Sequence, residues 1–234
     1  MTDAGRGRMA PRPRRILLLV APVGAGKGTQ ARALGERLGL AHLATGDLFR
    51  GAVRAGTELG RQAEAFMQRG DLVPDQISVA LIGEQLALPD AAPGVILDGF
   101  PRTVAQAEAL DAMLAGQRTA VEQVISIEVP DEELVRRVAG RRVCPTCGTP
   151  YHLDSDPPSR PGVCDRDGTA LVQRADDRED VVRARLARQG PPMQDVLAHY
   201  RQRGLVRSVD GRQAIHRVTE EILRTLADPA DPAA

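Results

Sequence analysis

Residues 15–30, RILLLVAPVGAGKGTQ, carry the strongest structural signal in the chain. Five aliphatic residues, Ile16 to Val20, run into a glycine-rich turn, and a helix-forming segment follows. A short apolar run bounded by turn residues is typical of a strand buried in a parallel sheet. In GAGKGT (24–29) the small residues allow successive backbone N–H groups to converge on one anion, beside the positive end of the next helix. These residues therefore predict a strand, a phosphate-binding loop and a helix, in that order.

Two side chains of this loop suit a polyphosphate. Lys27 can place a point charge on the β- and γ-phosphates, and the Thr29 hydroxyl can reach a phosphate or a magnesium ion. Lys27 is the only lysine in the chain, which otherwise uses arginine, and this favours a position that a guanidinium fork would not fit. Ala21 stands where the pattern G-x-x-x-x-G-K has its first glycine, so we predict a negative φ there. The alternative, a glycine-rich turn without a ligand, is disfavoured by the order of strand, loop and helix.

Composition excludes several classes of protein. The chain has 234 residues, 42% of them hydrophobic and 2% aromatic, with a formal net charge of +0. This length can bury an aliphatic core and accommodate insertions. The charge balance argues against broad electrostatic binding to nucleic acid or to an anionic membrane, and no apolar run approaches the ~20 residues of a membrane span. Because nothing indicates an assembly surface, we expect a monomer with no nucleic-acid or membrane partner.

The two ends of the chain differ from the rest. Residues 1–14 are basic, contain proline and glycine and lack an apolar stretch, so we predict a disordered leader. An organelle transit peptide is disfavoured because the segment is short and lacks serine. Residues 227–234, ADPADPAA, predict a flexible tail. The three cysteines cluster between Cys144 and Cys164 and no export signal is recognisable, so we expect a reducing, cytoplasmic location.

Apolar runs alternate with amphipathic segments along the remainder of the chain. After the first strand, further strands are predicted at 40–43, 95–98, 121–129 and 205–209. Helices are predicted at 29–38, within 45–70, and at 75–86, 131–138 (capped by Asp131), 177–189, 193–203 and 213–226. This alternation is typical of an α/β fold with a parallel sheet. Sites in such folds lie at the carboxyl ends of the strands, which is where the phosphate loop, Asp98 and Arg102 fall.

The cysteines belong to a pattern typical of a metal site. Cys144 and Cys147 form one C-x-x-C turn, and Cys164 with Asp167 forms a second C-x-x-D turn after sixteen residues. Three thiolates and one carboxylate can complete a tetrahedron around zinc, and a closed ligand set predicts a structural ion. Three free thiols, or one disulfide with a spare thiol, are the alternatives. His152 is a competing donor, but its spacing fits a local hydrogen-bonding role better.

Five motifs in order resemble the adenylate kinases, in the long bacterial form with a large lid. They are GAGKGTQ (24–30), TGDLFR (45–50), DGFPRT with Gln106 (98–106), GRR (140–142) and QRADD (173–177). The similarity extends over residues 15–226. It implies an α/β protein with a three-layer α/β/α core of the P-loop NTPase type and a five-stranded parallel sheet, formed by residues 15–43, 74–139 and 178–226. It also implies two inserts, a small helical AMP-binding unit at 44–73 and a zinc-ribbon-like lid at 140–177.

The same resemblance implies reversible transfer of the γ-phosphate of ATP to AMP, giving two ADP, in nucleotide homeostasis and purine salvage. It implies Mg²⁺ with ATP and a structural Zn²⁺ in the lid. The implied ATP ligands are Gly24, Ala25, Gly26, Lys27, Gly28, Thr29, Arg141, Tyr151 and Gln213. The implied AMP ligands are Thr45, Arg50, Asp71, Val73, Gly99, Arg102, Gln106, Arg174 and Arg185. The implied catalytic set is Lys27, Asp98 (on magnesium waters), Arg102, Arg137, Arg141, Arg174 and Arg185.

The chemistry of these residues agrees with that reaction. Phosphoryl transfer between nucleotides needs positioning and charge stabilisation more than a general base, since the acceptor is already anionic. Planar guanidinium groups suit phosphate, although each arginine could instead be a solvated surface charge and Asp98 could cap the following turn. Two other functions stay open: a kinase of UMP, CMP or GMP, and a zinc-ribbon nucleic-acid binder with a vestigial phosphate loop. Thr45 and Gln106 favour adenine, because an amide matches both its donor and its acceptor edges.

Overall fold

A five-stranded parallel sheet forms the centre of the protein. The computed structural model describes residues 14–69 and 71–227. The strands of this sheet follow the order β2-β3-β1-β4-β7 and are β1 (Arg15–Val20), β2 (Ala41–Ala44), β3 (Gly94–Asp98), β4 (Gln123–Glu128) and β7 (Val206–Asp210). The predicted α/β class and the five predicted strands are confirmed. The predicted leader and tail lie, apart from Arg14 and Ala227, outside the described residues.

Helices cover both faces of this sheet. Within the described ranges they are α1 (Lys27–Leu38), α2 (Thr45–Arg54), α3 (Glu58–Arg69), α4 (Asp75–Leu86), α5 (Val104–Gly116), α6 (Asp131–Ala139), α7 (Glu179–Arg201) and α8 (Ile215–Ala227). Ile16, Leu18 and Val20 of β1 pack against α4, α5 and α7, whereas Leu17 and Leu19 pack against α1 and α8. This explains why β1 reads as a continuous apolar run. None of the helices in the described part of the chain has the length and apolar character needed to cross a bilayer.

Two further groups of residues pack outside this core. Helices α2 and α3 form a small apolar cluster of their own around Phe49, Ala63 and Val73. Two short antiparallel strands, β5 (Arg141–Val143) and β6 (Pro150–His152), begin the cysteine-rich segment. Both groups fall within the inserts that the motifs imply, and each is joined to the core next to a carboxyl end of the sheet.

The structure corrects two local predictions. We expected separate helices at 177–189 and 193–203, but α7 is one helix that continues through Pro191 and Pro192. Prolines inside a helix cost stability, yet here Val182 at one end and Leu197 toward the other are held in separate buried clusters. Tertiary packing therefore overrides the local signal. Asp131 is not the cap of α6, because Pro130 occupies that position and Asp131 is already the first helical residue.

Two helical glycines in the first insert differ in their surroundings, and this yields a paired prediction. A Cβ on Gly51 would meet nothing within 4 Å, whereas a Cβ on Gly60 would lie 2.3 Å from the backbone of Ala52. We expect Gly51→Ala to raise the free energy of unfolding by about 1 kcal/mol, through helix propensity. Gly60→Ala should lower it by about 1–3 kcal/mol, because α2 and α3 must separate. Urea unfolding of both variants checks this; equal effects would show that α2 and α3 do not touch at Gly60.

Candidate functional site

The glycine-rich loop between β1 and α1 has the backbone that phosphate binding requires. Gly24 and Gly26 have φ values of 84° and 90°, in the left-handed region. A Cβ on Gly24 would lie 2.7 Å from Val138 Cγ2, so conformation and space both require glycine. Of the described non-glycine residues only Arg118 has a positive φ, so the prediction of a negative φ at Ala21 is confirmed. The loop thus directs the first amides of α1 toward one point at the carboxyl edge of the sheet.

Lys27 lies folded across this loop. Its Nζ donates hydrogen bonds to the carbonyl oxygens of Ala21 at 2.8 Å and Pro22 at 2.7 Å, and the residue is 9% exposed. The pKa of Lys27 is lowered to about 7, mainly by burial; the Asp98 carboxylate opposes this shift, and the charges of nearby arginines add to it. A polyphosphate in the loop would supply the anionic partner that this ammonium group lacks.

Cationic side chains from several elements converge beside the loop. The pKa of Arg102 is lowered to about 10, first by burial and then by the charge of Arg185, while the Asp98 carboxylate opposes both. Arg174 also has a lowered pKa, through burial and then the charges of Arg50 and Arg141. Within the described part of the chain, the buried Arg185 Nε has no hydrogen-bond partner. The charges that act on one another here are those of Lys27, Arg50, Arg102, Arg141, Arg174 and Arg185, which we call the cationic cluster.

Carboxylates hold the guanidinium groups of the cationic cluster in place. Arg141 makes a bidentate pair with Asp177, whose side chain is fully buried, with Nε 2.8 Å from Oδ2. Burial is the largest single effect and lowers the pKa of Arg141, but the hydrogen bond to Asp177 and the charges of nearby aspartates together outweigh it and leave the pKa raised. Arg185 Nη1 lies 3.1 Å from Asp176 Oδ2. These pairs fix orientation while leaving the cluster with more cations than neighbouring acids, which favours binding of a polyanion.

The carboxyl end of β3 supplies the next part of the site. Asp98 Oδ2 lies 3.3 Å from His42 Nε2, and the Thr45 hydroxyl donates to the Asp98 carbonyl at 2.8 Å. Burial raises the pKa of Asp98, but the His42 hydrogen bond and the charge of Lys27 outweigh burial, so the pKa is below its ordinary value. An ionised carboxylate close to a phosphate loop fits the waters of a magnesium ion. A Cβ on Gly28 would lie 3.5 Å from Asp98 Oδ2, which places this carboxylate against the first turn of α1.

Arg102 joins the cationic cluster to a cavity. Its Nε donates to the Gly99 carbonyl and its Nη1 to Gln189 Oε1, both at 2.9 Å. The cavity has a volume of about 360 Å³ and lies between the ends of β1 and β4 and helix α7. Its polar lining consists of Arg102, Ser126, Glu128, Asp131, Arg185, Gln189, Gln194 and Arg201. This volume is in the range of small-molecule sites.

The remaining residues implied for AMP lie on the insert side. Gln106 is 1% exposed; its Oε1 accepts from the Arg102 backbone N–H at 2.7 Å and its Nε2 donates to Asp75 Oδ1 at 2.8 Å. The Asp71 side chain pairs with Arg188 at 2.9 Å, and the Val73 side chain is buried in the insert. Asp71 and Val73 therefore offer their backbone, not their side chains, to a ligand.

Three residues implied for ATP or catalysis lie apart from the cationic cluster. Arg137 donates to Glu133 Oε1 at 2.8 Å and to the Gly211 carbonyl at 3.0 Å, two residues before the exposed Gln213. The Tyr151 side chain is buried in the cysteine-rich segment, where its hydroxyl donates to Cys164 Sγ at 3.5 Å. The Tyr151 ring thus packs beside Cys144 and Cys164, and its implied contact with ATP stays a prediction.

The cysteine-rich segment contains a candidate metal centre. The donor atoms of Cys144, Cys147, Cys164 and Asp167 all lie within 4.8 Å of one another. Cys147 Sγ is 3.6 Å from Cys164 Sγ, too far for a disulfide, and Cys144 Sγ is 3.2 Å from Asp167 Oδ2. His152 Nδ1 instead accepts backbone N–H groups of the following residues, as the local role predicts. Three sulfurs and one carboxylate oxygen at these distances can hold a tetrahedral divalent ion such as zinc.

The two turns of this centre have equivalent backbone hydrogen bonds. Cys144 N donates to the Thr149 carbonyl at 3.0 Å, and Cys164 N donates to the Thr169 carbonyl at 2.8 Å. The C-x-x-C and C-x-x-D turns thus have similar backbones, and their donor atoms lie within 4.8 Å of one another. This arrangement explains how a segment with few aliphatic side chains can place four donors around one point.

Four polar residues support the site but were not singled out as site residues in the sequence. Each makes a hydrogen bond to a site residue: His42 to Asp98, Asp75 to Gln106, Asp177 to Arg141 and Gln189 to Arg102. Only Asp177 stood inside a recognised motif, QRADD. The others carry no local signal, because each meets its partner only after the chain has folded.

Comparisons with a family model and with individual proteins point to the same family. The family model described as adenylate kinase matches residues 19–205. An adenylate kinase of Moorella thermoacetica is 50% identical over 210 residues, which is 90% of this chain and 97% of the relative. An adenylate kinase of Anaeromyxobacter dehalogenans is 47% identical over 211 residues, which is 89% of this chain and 99% of the relative. An adenylate kinase of Oceanobacillus iheyensis is 46% identical over 206 residues, which is 88% of this chain and 96% of the relative.

The buried environment of Lys27 predicts an unusual titration. Because Lys27 is the only lysine, protein labelled with ¹³C at lysine Cε should give one signal. We expect its midpoint near pH 7 in the folded protein and near 10.5 in urea, which is the control. The unfolded chain would then bind more protons between these values, so the free energy of unfolding should rise with pH by up to about 1.4 kcal/mol per unit. A folded-state midpoint above 9 would contradict the buried placement of Lys27.

Proposed function

The chain belongs to the adenylate kinase family, and on that premise we propose how its residues carry out the transfer of the γ-phosphate of ATP to AMP, giving two ADP. The observation that carries this proposal is the cationic cluster, which surrounds the end of the phosphate loop with arginines from the core and from both inserts. One polyphosphate would occupy only part of such a cluster. Two nucleotides placed end to end bring several negative charges to one place, and this matches the six cations.

We assign the donor nucleotide to the phosphate loop. Residues 24–29 hold the ATP phosphates through backbone amides, with Lys27 and Arg141 as charge partners. Arg137 and the backbone of Gln213 lie close together and would border the adenine. Magnesium comes with ATP, and its waters would be held by Asp98, with the Thr29 hydroxyl nearby.

We assign the acceptor nucleotide to the opposite side of the cationic cluster. Arg50 and Arg102 grip the AMP phosphate, and Arg174 and Arg185 bridge the two phosphate groups. The remaining contacts are assigned to Thr45, Asp71, Val73, Gly99 and Gln106. The insert at 44–73 and the lid at 140–177 close over the two nucleotides and exclude water, so that the phosphoryl group passes to AMP.

These residues act mainly by stabilising the negative charge of the phosphates during the transfer. The acceptor oxygen belongs to a phosphate that is anionic at neutral pH, so no side chain has to remove a proton from it. As the γ-phosphoryl group moves, negative charge shifts between the two nucleotides. Arginines already held by Asp176 and Asp177 can follow this charge without reorganising.

We further propose that the lid holds a structural zinc ion through Cys144, Cys147, Cys164 and Asp167. All four ligand positions would be filled by protein, which leaves none for a substrate. The free thiols favour a reducing, cytoplasmic compartment. The balanced net charge argues against nucleic-acid and membrane partners, and a monomer remains our expectation.

The function is tested by measuring ADP formation with AMP, UMP, CMP and GMP as acceptors, using wild-type protein and Arg102→Ala. AMP should be preferred by the wild type. The substitution should lower kcat/KM for AMP about 100-fold or more, because a buried charged partner of the phosphate is lost. The kcat/KM of Arg102→Lys for AMP should lie between those of the wild type and Arg102→Ala, since lysine keeps the charge and loses the planar guanidinium fork.

Arg37→Ala is the matched control for Arg102→Ala. Arg37 is an exposed arginine paired with Glu220, away from the cationic cluster, and its loss should leave the rate unchanged. An Arg102→Ala protein with the same AMP dependence as the wild type would exclude the proposed acceptor site. A wild type that prefers UMP, CMP or GMP would assign a different substrate.

The metal assignment predicts stability loss more than rate loss. Purified protein should contain stoichiometric zinc, and Cys147→Ser should lose it and lower the melting temperature by about 5–10 °C. Ser155→Ala, in the same lid but outside the donor set, should keep the zinc. Turnover should survive brief chelation at a temperature well below melting. An immediate and complete loss of turnover under those conditions would indicate a catalytic ion instead.

A further inference from the structure

The side-chain amide of Gln106 is held by two partners of opposite hydrogen-bonding type. The Arg102 backbone N–H donates to Oε1 at 2.7 Å, and Nε2 donates to Asp75 Oδ1 at 2.8 Å. A backbone N–H can only donate, and an ionised carboxylate can only accept. A flipped amide would place Nε2 against the Arg102 N–H, two donors together, and Oε1 against the Asp75 carboxylate, two acceptors together. The chemistry of the partners therefore fixes the orientation of this amide.

Asp75 is itself held by the start of the next helix along the chain. Its Oδ2 accepts from the Thr103 hydroxyl at 3.0 Å, and Thr103 Oγ1 accepts from the Gln106 backbone N–H at 3.2 Å, where it caps α5. Both carboxylate oxygens are thus engaged, and they join the first residue of α4 to the first turn of α5. Because Gln106 is 1% exposed, water cannot easily replace these bonds, and their loss is costly.

These two hydrogen bonds use only part of the hydrogen-bonding capacity of the Gln106 amide. A primary amide has two N–H groups and two lone pairs, so Gln106 keeps one donor on the Asp75 side and one acceptor on the Arg102 side. Adenine presents an acceptor at N1 next to a donor at N6. A 6-oxopurine presents the reverse, a donor at N1 next to an acceptor at O6. One fixed amide can match only one of these two edges, and an unmatched buried edge is rejected strongly.

We propose that Asp75 is a specificity-determining positioning residue, which orients the Gln106 amide so that the acceptor site takes 6-aminopurine monophosphates and rejects 6-oxopurine monophosphates. This inference rests on the proposed function, in which Gln106 reads the acceptor base. Asp75 acts through Gln106 and does not touch the reacting phosphates. Its removal should therefore change the choice and affinity of the acceptor more than the chemical step.

The test compares AMP with inosine monophosphate, its 6-oxo counterpart, in wild-type protein and in Asp75→Asn. An asparagine can offer either a donor or an acceptor to Gln106, so only the Arg102 backbone N–H still favours one orientation of the amide. The ratio of kcat/KM for AMP to that for inosine monophosphate should fall about tenfold or more, through KM. The kcat for AMP should stay within about twofold of the wild type, because the phosphate ligands are unchanged.

Two further variants keep the result interpretable. Asp75→Ala removes the carboxylate without adding a donor and should also lower the ratio; both variants are assayed well below their melting temperatures. Glu84→Gln makes the same carboxylate-to-amide change on an exposed part of α4 and should leave the ratio unchanged. An unchanged ratio in both Asp75 variants, with AMP activity intact, would overturn the inference and leave the proposed function standing. A wild type that does not use AMP would instead overturn the proposed function itself.

Discussion

Mutual repulsion among the six charges of the cationic cluster is the constraint that the rest of the site must satisfy. Like charges at short range, partly removed from water, destabilise one another. The pKa values of Lys27 and Arg102 are lowered first by burial, and the charges of neighbouring arginines add to that shift. The chain limits the cost by pairing Arg141 and Arg185 with Asp177 and Asp176, on one short turn ahead of α7. The remaining excess of positive charge is offset when polyphosphates bind, so the same repulsion that weakens the empty site strengthens its complex.

Most of the architecture could be predicted from the sequence, because it depends on local requirements. The phosphate loop needs glycine at positions 24 and 26, and a parallel sheet needs apolar strands such as 16–20. These demands act within a few residues and leave a visible pattern. The cluster of candidate metal donors was predictable for the same reason, since each pair of donors is set by one tight turn.

The parts that could not be predicted depend on contacts between distant residues. The continuity of α7 through Pro191 and Pro192 comes from packing at both ends of the helix, which no local pattern reports. The buried orientation of Tyr151 follows from the neighbouring Cys164. The carboxylates that hold the functional side chains were missed for the same reason: a motif identifies the group that meets the ligand, whereas its partner is defined only by the folded chain.

The contrast between Lys27 and the arginines shows how these constraints combine. Lys27 must lie inside a loop so narrow that its ammonium group reaches the carbonyl oxygens of Ala21 and Pro22. A planar guanidinium group is too wide for this position, and its charge could not be given up on burial. The arginines lie where the opposite is needed, a permanent charge; Arg141 is held by a bidentate pair with Asp177, and Arg185 by a hydrogen bond to Asp176. A chain that uses arginine at every other basic position keeps one lysine where the charge must adapt to whether phosphate is present.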